Sequence, residues 1–239
     1  MTHPSDNASA TGGMMGPVSR TGLSSPRLDL AGAELRLLVL AERPNEYLAV
    51  DIDSGAFVRA HGSTDADTGP SHILDVIKVE LADNEHASDL SQPEAVTMAG
   101  PARPARRVRR GRVKRYLRAL LAPKGEPLLG FPASAAPYWT LNGTRPSLAL
   151  IAPDDGLLVT KRQPEETLWA RFHWDGSQYQ LPVDDARLSA AFTDNERIRL
   201  SGRALAQALG HRPHYLLVAL APPRNGHCYK TLVAVLPRQ

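Results

Sequence analysis

Between Pro101 and Gly125 the chain places Arg103, Arg106, Arg107, Arg109, Arg110, Arg112, Lys114, Arg115, Arg118 and Lys124, and no acid falls between Glu94 and Glu126. These ten cations belong to a chain of formal net charge +3, so the remainder sums to −7. Guanidinium groups at that density can neutralise several phosphates and release their counterions, and their planar fork suits phosphate better than an ammonium does. The nine cations from Arg103 to Arg118 are therefore the candidate binding residues. The partner they suggest is acidic: RNA or a ribonucleoprotein first, then DNA or an acidic protein surface. Only Tyr116 interleaves with them, so the segment itself carries no row of stacking aromatics.

An intramolecular use competes with this reading. Residues 51–100 hold ten acids against Arg59 and Lys78, a net of −8 directly before the basic block. The alternative function is a regulatory or scaffold protein whose basic segment docks on its own acidic region or on a protein partner. A solvated charge run, or one that meets acidic lipid, is the remaining option.

A third grouping has the side chains of a metal or nucleophilic site: His211-x-x-His214, then His227-Cys228. Neighbours in a strand point to opposite faces, which leaves at most three ligands where structural zinc takes four. No metal and no cofactor are therefore expected. If the protein were an enzyme, His214, His227 and Cys228 would carry its site, but a cysteine in an apolar strand is an ordinary core residue. Asp51-Ile-Asp53-Ser54-Gly55 lacks the further ligands of a calcium loop and reads as a hairpin turn. The pairs Asp154-Asp155, Glu165-Glu166 and Asp184-Asp185 sit beside turns or strand ends, where solvated acids are expected. No phosphate loop, dinucleotide fingerprint, nucleophile elbow or His-Glu-x-x-His helix is present. A non-catalytic binding protein is the expectation.

The elements that must position these groups follow from spacing. Prolines 101 and 104 make residues 101–110 an extended arm. From Gly111 to Leu121 a helix is predicted, because Val113, Leu117, Leu120 and Leu121 form one apolar stripe while Arg112, Lys114, Arg115 and Arg118 lie off it. Upstream, 34–42, 47–51 and 56–60 read as a three-stranded meander, with further strands at 73–81 and 95–99. Downstream, 126–145 reads as an irregular segment packing Phe131, Tyr138 and Trp139 on the core. Strands follow at 147–152, 157–161, 168–174 and 177–183, the last two joined by Asp175-Gly176, a type I′ hairpin signal. On residues 168–174, Leu168, Ala170, Phe172 and Trp174 share a face opposite Trp169, Arg171 and His173. Ser201 and Gly210 bracket a second helix. The near-continuous apolar runs 215–221 and 227–236 imply central strands buried on both faces.

The expected fold is α+β, predominantly antiparallel β in hairpins and a meander, with barrel-like closure an option and two short helices. Residues 1–26 read as a disordered tail, 27–100 as a β-meander region with acidic loops, 101–125 as the Arg-rich arm and helix, and 126–239 as a mostly β region with a short helix. Whether this makes one domain or two small ones joined by the basic segment stays open. The single cysteine allows no intrachain disulfide, the N-terminus lacks a signal-peptide pattern, and no run reaches the ~20 apolar residues of a membrane span. A cytoplasmic location is expected.

Overall fold

The computed structural model describes residues 32–62, 73–82, 89–105, 110–193 and 198–238. The expected tail at 1–26 and the arm residues Arg106, Arg107 and Arg109 lie outside them.

Alternating apolar residues build a first barrel from β1 (Glu34–Arg43), β2 (Glu46–Asp51), β3 (Phe57–His61), β4 (Val76–Glu80) and β5 (Ala95–Thr97). β1 pairs antiparallel with β2 and β4, β2 pairs antiparallel with β3, and β3 pairs parallel with β5. An antiparallel bridge from Leu81 to Met98 closes the ring, with Ala82 N–H on the Thr97 carbonyl at 2.9 Å and Ala99 N–H on the Glu80 carbonyl at 2.8 Å. The strand order is thus first, second, third, fifth, fourth and back to first. Leu37, Val39, Tyr47, Ala49, Val58 and Val79 fill the interior. The turn after β2 is held by the Asp51 carboxylate, which accepts N–H bonds from Asp53 (3.2 Å) and Ser54 (3.0 Å).

The chain then forms the two-residue β6 (Arg103–Pro104), antiparallel to β4, and α1 (Arg110–Ala119). An irregular stretch with β7 (Ala135–Pro137) leads to β8 (Leu148–Ile151), β9 (Leu158–Arg162), β10 (Thr167–Trp174) and β11 (Ser177–Pro182). After α2 (Ala186–Thr193), β12 (Arg199–Ser201) and α3 (Gly202–Leu209), the chain ends in β13 (Pro213–Leu220) and β14 (His227–Pro237).

These strands repeat the first barrel's order, with β8 and β9 together acting as one bent first strand. β9 pairs with β10, β10 with β11, β14 with β13, and β13 with β8, all antiparallel. The parallel bridge Val183–Leu232 sets β14 beside β11, the same third-to-fifth relation as in the first barrel. Asp175 and Gly176 take the positive φ angles, 51° and 71°, that a type I′ turn needs.

The fold is mostly antiparallel β, as the patterning predicts. Three α-helices appear among the described residues rather than two. The additional one, α2, buries Leu188 and Phe192 at i, i+4 behind Asp185, whose carboxylate takes the Arg187 N–H at 3.0 Å. Asp185 is therefore buried, not solvated as its turn position suggests: it also accepts from Val235 N–H (3.1 Å) and from the Arg187 guanidinium (2.8 Å).

A second apolar layer joins the barrels. The outward residues of the first barrel, Leu38, Leu48, Val50 and Phe57, meet Leu148, Leu150, Tyr215, Leu217 and Leu236 of the second. This is why β13 and β14 read as continuously apolar: one face lines their own barrel and the other meets its neighbour. Val113 and Leu117 of α1, with Leu120 just past its end, are buried in the same layer.

Candidate nucleic-acid interface

Arg112, Arg115 and Arg118 are exposed on α1 and Lys114 is half-buried, as the off-stripe spacing predicts. Arg103 is exposed on β6, and the backbone of Arg110 opens α1. Lys124 pairs with Asp154 at 2.6 Å and Gly125 N–H bonds the Asp175 carboxylate at 2.7 Å, which ties the end of the basic segment to the tip of the β10–β11 hairpin. Among the described residues, none of Arg103, Arg112, Lys114, Arg115 and Arg118 forms an ion pair with an acid of the 51–100 block. Asp51 holds its own turn, Asp53 pairs with Arg36 (3.0 Å), and Glu94 is buried beside Arg59 (3.2 Å).

The two barrels treat their second and third strands differently. In the first barrel the outward side of β2 and β3 is sealed. Arg59, 0% exposed, donates to Glu46 (2.9 Å), Glu94 (3.2 Å), Ser147 Oγ (3.0 Å) and the Leu220 carbonyl (3.0 Å). Burial raises the Glu46 pKa, but the charges of Arg59 and Arg43 outweigh it and hold the carboxyl below its ordinary range.

In the second barrel the corresponding face is open. Interior residues Leu168, Ala170, Phe172 and Trp174 alternate with Thr167, Trp169, Arg171 and His173, as expected from the sequence. Cross-strand register aligns Arg199, Thr160, Trp169 and Pro182 in one row, and Ser201, Leu158, Arg171 and Gln180 in the next. The Trp169 indole donates to Thr167 Oγ1 at 3.1 Å, and the Arg162 guanidinium lies over its ring, 4.2 Å from the centroid. Among the described residues Arg162, Arg171 and Arg199 form no ion pair, while Glu166 in the β9–β10 turn pairs with Lys161 at 3.0 Å. No local motif marks this cationic, hydrogen-bonding plane with its anchored indole, because its residues come from separate strands. The alternation of Trp169 and Arg171 is its signal in the sequence.

The histidine–cysteine grouping does not assemble. His214 lies at the start of β13, where Pro213 registers with Pro237, whereas His227 and Cys228 begin β14. About ten residues at ~3.3 Å each separate the two ends of that strand. His214 packs on the Tyr215 ring, His211 meets Arg187 across 3.4 Å, and Cys228 is buried with Ala136 and Leu220. Among the described residues no three His, Cys, Asp or Glu side chains converge to hold a metal, and no helix is long and apolar enough to cross a membrane.

No curated protein matches the chain. Among solved structures, the crystal structure of the p204 HINb domain aligns over 87% of this chain and 95% of that one, with 11% identity and a TM-score of 0.33. The two barrels of one strand order have a direct counterpart in a family model, which matches residues 50–235: the chain belongs to the DuOB family, the dual OB-containing domain.

Proposed function

We propose that this chain is a non-catalytic binding protein for single-stranded nucleic acid, RNA or a ribonucleoprotein first. The ligand lies across the open β9–β12 face of the second barrel, and the basic arm and helix bind further phosphates. OB barrels take oligonucleotides on their second and third strands and the flanking loops. The observation that carries the reading is the contrast between the barrels: that face is sealed around Arg59 in the first and open around Trp169 in the second. Arginine planes and indoles stack unpaired bases, and the Arg162–Trp169 pair offers both. Arg171, Arg199 and the exposed cations of α1 supply charge without sequence preference.

The test is a salt series of fluorescence anisotropy with a labelled single-stranded RNA and a labelled DNA duplex. The reading expects single-strand affinity that falls linearly in log salt, and a shallower slope after Ala replaces Arg112, Arg115 and Arg118. Absence of binding near 100 mM salt to either probe overturns it.

A further inference from the structure

Three rings, Trp139, His227 and Tyr229, meet at the start of β14, and Tyr138 precedes Trp139 in the chain. The sequence places Tyr138 and Trp139 in a Pro-rich stretch expected to pack on the core, and the structure corrects this: Trp139 is 71% exposed, and Tyr138 and Tyr229 are exposed as well. They are nevertheless rigidly placed. β7 pairs His227 with Pro137 and Tyr229 with Ala135, and Tyr138 N–H bonds the Gly226 carbonyl at 2.9 Å. Trp139 meets the His227 ring edge-on at 5.6 Å, and His227 meets Tyr229 at 6.4 Å. His227 is fixed in turn by its Nδ1 contact with the Asn225 carbonyl at 3.1 Å. A Cβ on Gly226 would come within 3.3 Å of the Trp139 ring, so the 221–226 loop fits closely against the indole.

Leaving such rings in water wins no burial energy for the fold, and large exposed aromatics on a fixed scaffold are what a planar ligand stacks on. The ligand's charge is suggested by Arg224, exposed on the same loop and without an ion-pair partner among the described residues. Its position is suggested by the barrel: the Val183–Leu232 bridge makes β14 the neighbour of β11, so the ladder lies beyond the β11 edge of the open face.

We infer that Trp139, His227 and Tyr229, with Tyr138 and Arg224, form a second stacking subsite for unpaired bases. It continues the path of a single strand that has crossed β10 and β11. This rests on the function proposed above and adds a length requirement: short ligands fill the β9–β12 face, and longer ones also reach the ladder.

The experiment uses the full chain and labelled oligouridylates of roughly 4 to 16 nucleotides, the span of single-barrel site sizes. Wild-type affinity is expected to rise with length. Trp139→Ala and Tyr229→Ala should each weaken the longest probe about tenfold and leave the shortest unchanged, with melting temperatures kept because both side chains are exposed. Trp169→Ala should weaken every length. If the Trp139 and Tyr229 variants match wild type at all lengths while Trp169→Ala loses binding, the ladder falls and the proposed function stands. If wild type binds no oligonucleotide, both fall. Loss at every length equally, or Trp139-dependent binding of an oligosaccharide instead, also overturns the extension.

Discussion

Arg59 Nη2 donates to the main-chain carbonyl of Leu220 at 3.0 Å, so a cation rooted in the first barrel completes its hydrogen bonding on the second. Its other donors meet Glu46, Glu94 and Ser147. Removing the guanidinium leaves the buried Glu94 without its cation and Glu46 with Arg43 as its remaining arginine. Arg59→Ala should therefore destabilise by about 3–5 kcal/mol, the cost of breaking a buried pair. Arg59→Lys should fall between, because an ammonium cannot span the same fork. Urea unfolding midpoints measure both, and a loss under 1 kcal/mol for the alanine variant would exclude the network as the junction's tie.

The same network sets an acid limb. The Glu46 carboxyl lies below its ordinary range, because attraction to Arg59 and Arg43 exceeds the effect of burial. A carboxylate with a lowered folded pKa contributes stability that is complete above its unfolded value of about 4.3 and is lost as pH falls through the folded value. Unfolding free energy should therefore drop as pH falls below that unfolded value. Glu46→Gln should flatten that limb, as titration of the melting temperature will show.

Lys230 gives the opposite limb. It is 0% exposed on β14, donates to the Phe131 carbonyl, sits 5.6 Å from the Tyr179 ring centroid, and its pKa is pushed down to about 8 by burial. Between pH 8 and the unfolded value near 10.4 the unfolded chain holds a proton that the folded chain has released, so this group makes stability rise with pH across that window. Lys230→Met should stabilise the protein at pH 7, by roughly 2 kcal/mol, and the advantage should vanish near pH 10. A pH-independent difference between the two proteins would refute the assignment.

Much of this architecture was legible where one physical cause acts on one residue. Asp175-Gly176 dictates its turn, the i, i+4 stripe of α1 dictates its buried side, and period-two alternation separates Phe172 from Trp169. Legibility fails where a side chain's surroundings come from distant chain. Asp185 looks like a turn acid until Val235 N–H reaches it across 50 residues. Trp139 looks like core until β7 pairs with β14 and turns it outward. Arg59 looks like one basic residue in an acidic block, and only the seating of one barrel on the other makes it the centre of a junction. The open face was hidden for the same reason: Trp169, Arg162 and Arg199 come from three strands, and the register that aligns them is a long-range fact.

The two faces of α1 should separate in experiment. Leu117 is fully buried in the inter-barrel layer, so Leu117→Ala should cost about 2–5 kcal/mol. Arg112, Arg115 and Arg118 are exposed, and their joint replacement by alanine should leave the melting temperature within a degree or two. If the same triple variant reduces the slope of log K against log salt by about 0.7 for each phosphate that is no longer neutralised, α1 lies on the ligand's path. A marked fall in melting temperature would instead show that these arginines are docked on the protein itself.

Trp169 supplies the sharpest comparison with Arg59. Its half-buried ring lies on the outer side of β10, under the Arg162 guanidinium. Trp169→Ala should weaken single-stranded RNA by about 5- to 150-fold, the effect of losing one base stack, while stability changes by less than about 1 kcal/mol. Arg171→Ala should lower affinity more at low salt than at high, because it removes a charge and no stacking surface. Phe172→Ala, on the inner side of the same strand, should do the reverse, costing about 3–5 kcal/mol of stability through the cavity it leaves in the barrel. Equal effects of the Trp169 and Phe172 variants on melting temperature would mean that the outer side of β10 is packed rather than open, and the ligand face would have to be sought elsewhere.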